Sequence, residues 1–346
     1  MKALVALILL VQLPAFRAAP AAPPAPLGCD DPESEAAAEF AVNYINGHSH
    51  HGYKFALNRV DNIRVVPQGP NNDIILLELD LLETTCHILS PTPLVNCTVR
   101  SFTNHAVEGD CDVKLLKVDG KFSVLGSKCH SHADSAEDIV RVCPDCPLLL
   151  SLNNTDVLAA VTAALNDYNS QNPDGYLKLL EIGRATMQHL PSNSMSVEFA
   201  VAATNCTAAE AKAQVEACQL LPEDQSNFGF CTATRVIMPT EKLQVDCQLY
   251  GHQPGVTYSQ PGQDTSVGLV PSVTQGFTNH NLRFSHNDAA ASESFSSEFP
   301  SAALSAKKPV AKRAVAEAAQ HDKVPRPVGF VPPPPPCPGR IRYFEI

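Results

Sequence analysis

Residues 86–129 read CHILSPTPLVNCTVRSFTNHAVEGDCDVKLLKVDGKFSVLGSKC, and residues 206–247 read CTAAEAKAQVEACQLLPEDQSNFGFCTATRVIMPTEKLQVDC. Each stretch carries four cysteines, separated by 10, 13 and 17 residues in the first and by 11, 12 and 15 in the second. A spacing that recurs in this way marks an internal repeat. Within the first stretch, Lys114 to Val124 is a hairpin signal with Asp119-Gly120 at a type I′ turn. Counting outward from that turn sets Cys111 opposite Lys128, and one extra residue, a bulge at Gly126, brings it opposite Cys129.

Upstream of each quartet the pattern repeats again. Asp31 caps a helix with Pro32 at its first position, and Ala37, Phe40, Ala41 and Tyr44 form its apolar stripe. In the second block Val157 or Leu158, Val161, Leu165 and Tyr168 do the same. Gly52-Tyr53 and Gly175-Tyr176 then lead into apolar-rich runs, Tyr53 to Val66 and Tyr176 to Leu190, that read as long strands. The expected fold class is α+β, with one helix lying across an antiparallel sheet, twice over.

The repeats occupy 29–142 and 143–250, with 143–153 as the linker between them. They hold 17 acids against 9 bases and 12 against 5, whereas 251–346 holds 7 against 9. The whole chain of 346 residues carries a formal charge of −11, which argues against a nucleic-acid partner. The tail, 251–346, holds 13 of the 29 prolines, including the run Pro332 to Pro336, and is expected to be extended and largely disordered, with its single cysteine as a terminal anchor. Lys2, the apolar run Ala3 to Val11 and the small residues near Ala18 form a signal peptide over 1–18. That run is too short to span a bilayer, so the expectation is a secreted, extracellular protein with oxidised thiols and no membrane insertion. Twelve cysteines permit many pairings, of which local closure within each repeat is the simplest. It leaves Cys143 and Cys146 between the blocks and Cys29 and Cys337 at the ends.

The repeats, together with Cys29-Asp30-Asp31-Pro32-Glu33, Leu82-Glu83-Thr84-Thr85-Cys86-His87 and the ending Pro336 to Arg342, resemble the fetuins of the cystatin superfamily. The resemblance runs along essentially the whole chain and implies two tandem cystatin-like domains. It implies the disulfides Cys86–Cys97, Cys111–Cys129, Cys206–Cys218, Cys231–Cys247, Cys143–Cys146 and an end-to-end Cys29–Cys337 bond. It also implies a plasma glycoprotein that binds nascent calcium phosphate and restrains ectopic mineralisation, with no enzymatic activity and no cofactor beyond weakly held calcium. Cystatins that block papain-like proteases use an N-terminal Gly, a Gln-x-Val-x-Gly hairpin and a Pro-Trp hairpin. Here only Gly28 is present and the chain has no Trp, so that activity is not expected.

Mineral binding needs hard oxygen ligands. Glu78 and Asp80 share a strand face, as do Asp110 and Asp112 flanking Cys111, while Asp134, Glu137 and Asp138 add an acidic loop. An array of weak calcium contacts is expected rather than one tight site. The family's acidic alternation continues further, whereas the next position on this face is Leu76. Ser135 lies in a Ser-x-Glu phosphorylation pattern, Asn153 leads the sequons ahead of Asn96 and Asn205, and Lys312-Arg313 is a processing site. His48-Ser49-His50-His51 and His130-x-His132 read as solvated loops before they read as metal ligands. Cys143-Pro144-Asp145-Cys146-Pro147 lacks a thioredoxin-like context and reads as a short structural disulfide. In one branch of the fetuins a similar segment enters astacin-type metalloproteases, which would make Asp145 the inhibitory residue. Cys86 to Cys97 resembles a family loop that mimics a growth-factor cytokine receptor, a third reading.

Overall fold

The structure is a computed structural model and describes residues 27–49, 51–173, 175–222, 225, 227–237, 241–251, 277–281 and 337–345. The expected leader and Lys312-Arg313 lie outside the described residues.

Repeat 1 consists of helix α1 (Pro32–His48) and strands β1 (Tyr53–Gly69), β2 (Asn72–His87), β3 (Val107–Val118) and β4 (Lys121–Ala133). A short helix, α2 (Ala136–Val142), and strand β5 (Leu148–Leu149) lead into repeat 2. Repeat 2 continues with α3 (Thr155–Gln171), β6 (Leu177–Gln188), β7 (Ser194–Ala203), α4 (Ala208–Gln214), β8 (Phe228–Val236) and β9 (Lys242–Leu249). Strand β10 (Phe277–Asn281) adds parallel to β4. The two sheets run β1-β2-β3-β4-β10 and β5-β6-β7-β8-β9, antiparallel except for β10.

The turn at Asp119-Gly120 has positive φ at both residues (49° and 80°), as a type I′ hairpin requires. The register shift falls between Lys114 and Leu115, where Lys114 faces Gly126 and Leu115 faces Val124. Leu125 is therefore the extra residue, one position from the expected bulge, and Cys111 stands opposite Cys129. The long strands carry a second device absent from the sequence reading. β1 shifts register between Leu57 and Arg59 and again between Val60 and Asn62, and β6 does so between Leu179 and Glu181 and between Ile182 and Arg184. These paired mid-strand bulges sharpen the twist that wraps each sheet around its helix, and β1 has further shifts near its ends, between Tyr53 and Phe55 and between Pro67 and Gly69.

Each helix packs through small residues. On α1 the buried face is Ser34, Ala37, Ala38, Ala41, Val42 and Ile45. The expected stripe is displaced: Phe40 is 37 % exposed and leans on Phe122, while Tyr44 stacks on His48. Alanines let the backbone approach the sheet closely and leave the rings at the rim. On α3, Val157, Ala160, Val161 and Ala164 are buried and Leu158 is exposed. Asn46 and Asn169 perform one job twice at the helix ends. Each side chain both donates to and accepts from the backbone of the next strand, at Phe55 (2.9 and 2.8 Å) and Leu177 (3.0 and 2.9 Å). Asp31 does occupy the cap position, but its carboxylate accepts from the Gly28 amide instead of a helical N–H.

Six disulfides join Cys29–Cys337, Cys86–Cys97, Cys111–Cys129, Cys143–Cys146, Cys206–Cys218 and Cys231–Cys247. The tail departs from the expectation of general disorder at residues 337–345. Gly339 N–H donates to the Val60 carbonyl (2.9 Å), Arg342 N–H to the Asn58 carbonyl (3.0 Å), and Arg340 N–H to Asp30 (2.8 Å). Asn58, a residue freed by the first β1 bulge, also accepts from Tyr343 N–H (3.1 Å) and donates to the Phe344 carbonyl (2.9 Å). Arg342 pairs with Glu35 on α1. This segment covers part of the outer edge of β1, which would otherwise expose unpaired backbone groups. Among the described residues no helix is long and apolar enough to cross a membrane.

Candidate functional site

The strand registers assemble an acidic face on the side of sheet 1 away from α1. Glu78 stands opposite Asp112 and Asp80 opposite Asp110. Asp110 faces His130, Asp112 faces Lys128, and Glu108 faces His132. Asp61 joins them from the second β1 bulge, and a cleft of about 150 Å³ is lined by Asp61, Glu78, Asp110, Asp112 and His130. Asp61, Glu108 and Lys128 are members that sequence reasoning missed, and His130 and His132, read there as a solvated loop, lie on β4 beside the acids. For Glu108, Lys128 and the histidines the signal was the register, which a count from the Asp119-Gly120 turn reaches once the bulge is placed; Asp61 depends on a bulge in β1 that this count does not reach.

His130 Nε2 lies 3.2 Å from Asp110, and His132 Nε2 lies 2.9 Å from Glu108. The hydrogen bond holds the Asp110 carboxyl below its ordinary range and lifts the His130 imidazole above its own. Burial raises Asp112 and Glu108. Asp80 differs from its neighbours. It is only 5 % exposed, Asn58 donates to its Oδ2 at 2.8 Å, and its Oδ1 has no hydrogen-bond partner. Burial pushes its carboxyl up to about 6. Asp80 thus shares the face but is not an open ligand.

Asp134, Glu137 and Asp138 do not form a loop. Ser135 caps α2, accepting from Asp138 N–H (3.1 Å) and donating to the Asp138 carboxylate (2.6 Å). Glu137 and Asp138 pair with Arg141 at 2.5 and 3.3 Å, and burial raises the Asp134 carboxyl. Ser135 itself is exposed. Asn153 is exposed immediately before the α3 cap Asn154, and Asn96 and Asn205 are exposed beside their cysteines.

The Cys143–Cys146 turn leaves Asp145 exposed, tied back only by its carbonyl, which accepts from Gln188 (3.0 Å). Cys86 to Cys97 closes as a loop whose Ser90 and Thr92 carbonyls both accept from Lys54 at 2.7 Å. His51 is not a solvated loop residue: it and His87 both reach Glu181 of repeat 2 at 2.8 Å. His50 lies outside the described residues. Among the described residues no three His, Cys, Asp or Glu side chains are grouped to hold a metal ion.

Glu181 belongs to a buried seam between the repeats. Its carboxylate also accepts from Gly52 N–H (2.8 Å). His87 Nδ1 accepts from Leu89 N–H, so Nε2 is the nitrogen that donates to Glu181. Burial would raise Glu181, but the bonds from His51, His87 and Gly52 outweigh it and hold the carboxyl well below the usual range. Arg100 donates to Glu83 (2.8 Å) and, through both terminal nitrogens, to Glu198 (3.2 and 2.6 Å), while lying 4.6 Å over the Tyr53 ring. Tyr53 Oη donates to Glu198 (2.7 Å), and Arg184 reaches Glu83 (3.3 Å) and the Asn104 and His105 carbonyls. A Cβ on Gly183 would stand 2.6 Å from Tyr53 Oη, so the second β6 bulge needs a glycine there. Leu89 completes the seam in an apolar seat of Leu180, Ala200, Ala202, Phe228 and Tyr250.

Comparison with known proteins places these features in context. Residues 146–238 match the family model of the cystatin domain. The chain is 43 % identical to alpha-2-HS-glycoprotein of Oryctolagus cuniculus over 342 residues, covering 92 % of each chain. It is equally identical, over 349 residues and the same shares, to the Sus scrofa protein of that name. Among solved structures it resembles mouse fetuin-B with a TM-score of 0.57 and 26 % identity, over 74 % of this chain and 75 % of that one. It also resembles a chain from an inhibitory complex of human meprin beta with mouse fetuin-B, with a TM-score of 0.55, 28 % identity and coverage of 65 % and 76 %.

Proposed function

The chain belongs to the fetuin family, and on that premise we propose that it is an extracellular glycoprotein that binds calcium phosphate through the outer face of repeat 1 and so restrains mineral growth. Six disulfides suit an oxidising compartment. The observation that carries the reading is the placement of Asp61, Glu78, Asp110 and Asp112 around one open cleft. Calcium is a hard cation that takes several oxygens, and a mineral surface presents many calcium ions at once. Carboxylates spread over a stiff antiparallel sheet can therefore each contact a different lattice ion. Weak contacts held at fixed spacing reinforce one another through effective concentration.

Replacing Glu78 with Gln and Asp61, Asp110 and Asp112 with Asn should abolish most of the delay that the protein imposes on calcium-phosphate precipitation. A quadruple variant as effective as the parent would remove this face from the mechanism.

A second reading is favoured by the exposed Cys143–Cys146 turn, because a fetuin-B relative occurs in an inhibitory complex with meprin beta. In that reading Asp145 meets the catalytic zinc of an astacin-type metalloprotease. Asp145→Ala should then raise the inhibition constant at least tenfold and leave mineral activity intact. A parent protein that does not inhibit such enzymes at micromolar concentration would end this reading.

A further inference from the structure

The two repeats use the same sheet face in different ways. Aligned by Cys86 with Cys206, Cys111 with Cys231 and Cys129 with Cys247, Glu78 matches Glu198, Asp80 matches Ala200, and Leu82 matches Ala202. Glu108 then matches Phe228, Asp110 matches Phe230, and His132 matches Tyr250. The ladders agree with this alignment. Glu78 pairs with Asp112 where Glu198 pairs with Thr232, and Asp80 pairs with Asp110 where Ala200 pairs with Phe230.

In repeat 2 this face is a polypeptide-docking surface. Ala200, Ala202, Phe228 and Tyr250 seat Leu89 of repeat 1, and Phe230 stacks on His87. Glu198 takes the Arg100 guanidinium through both terminal nitrogens. In repeat 1 the equivalent glutamate, Glu78, is exposed, with only a 3.3 Å contact from Asn62. The apolar seat is replaced by Asp80, Glu108 and Asp110. Asp80 is the buried acid of this face, closed to a ligand itself while adding to the negative charge. Its buried Oδ1 lacks a donor, on the same face as Asp110 and close to the charges of Glu108 and Asp61. No three of these groups converge as a metal site. Asp110 and Glu108 already accept from His130 and His132, whereas Glu78 has no cationic partner among the described residues, and a guanidinium fork supplies two N–H donors at once with its charge intact, as Arg100 does for Glu198.

We propose that the outer face of repeat 1 is a docking surface for an arginine-bearing polypeptide, with Glu78 taking a guanidinium as Glu198 takes Arg100. The proposal is independent of the mineral reading, since it concerns a protein ligand and is tested without calcium or phosphate.

The test is calorimetric titration of the full chain, at low ionic strength, with three twelve-residue peptides in which glycine alternates with arginine, lysine or citrulline. The arginine peptide should bind at least fivefold more tightly than the lysine peptide, and the citrulline peptide should not bind. Glu78→Gln should weaken the arginine peptide at least fivefold, and Asp110→Asn should weaken it as well, with unchanged circular dichroism. Glu216→Gln, an exposed acid on a distant turn, should leave it as in the parent. Equal affinity for arginine and lysine would reduce the effect to the net charge of the chain and overturn the proposal. Binding that survives both Glu78→Gln and Asp110→Asn would overturn it too.

Discussion

At the scale of single residues, Asp80 shows why a pattern of acids is not yet a set of ligands. Its spacing from Glu78 places it on the right face, but the first β1 bulge turns Asn58 onto its Oδ2 and leaves Oδ1 buried without a donor. The penalty for ionising it there raises its carboxyl to about 6. For a group raised in the folded state, the associated stability is fully present below the unfolded value of roughly 4 and is lost as pH rises through the folded one. Asp80→Asn keeps the bond from Asn58 and removes the charge. The variant should be more stable than the parent at pH 7.4 by about 1–2 kcal/mol, and the gain should shrink towards zero at pH 4. Urea unfolding at the two pH values measures it. A variant destabilised at pH 7.4 would mean that the Asp80 charge has a partner.

At the scale of elements, the hairpins, helices and cysteine quartets were legible because each rests on local chemistry: a turn needing two positive φ values, a 3.6-residue stripe, a spacing that recurs. What escaped depended on pairing. The bulges at Asn58, Asp61, Leu180 and Gly183 carry no shared residue type, yet they decide which side chains point outward beyond them. Of the expected α1 stripe Ala37 and Ala41 are buried, but Phe40 and Tyr44 fall at the rim, because the close approach of helix and sheet selects alanine over large apolar residues. The docked residues 337–345 were hidden by proline-rich composition next to them, although Arg340 and Arg342 are the groups that reach α1. One usable signal was overlooked. In repeat 2 Phe199, Ala200, Val201 and Ala202 are apolar without alternation, which marks a strand covered on both faces. In repeat 1 the run Glu78-Leu79-Asp80-Leu81 alternates acid and leucine before Leu82, and that contrast separates a filled docking face from an open one.

At the scale of the molecule, the seam converts two repeats into one body, and Glu181 is its centre. The residues involved, Glu83, Arg100, Glu181, Arg184 and Glu198, lie far apart in the chain and read individually as surface charge; only the fold shows the first four buried and Glu198 half-buried against them. Three donors converge on the Glu181 carboxylate from repeat 1, so a neutral amide in its place removes the charge from all three bonds and makes one imidazole either change tautomer or face an NH2 group. Hydrogen bonds to a charged group contribute about 1.5–3 kcal/mol each, and breaking a buried set costs about 3–5 kcal/mol. The parent should melt in one calorimetric transition, and Glu181→Gln should uncouple the repeats, splitting that transition into two and opening the 143–153 linker to limited proteolysis. The sign of the pH dependence follows from the depressed carboxyl. Its contribution is present above the unfolded value of about 4.3 and is lost only as pH falls through the lower folded value, so the difference between parent and variant should persist down to pH 4. If Glu181→Gln melts as one unit at the parental temperature, the apolar seat around Leu89 holds the repeats together without the charges.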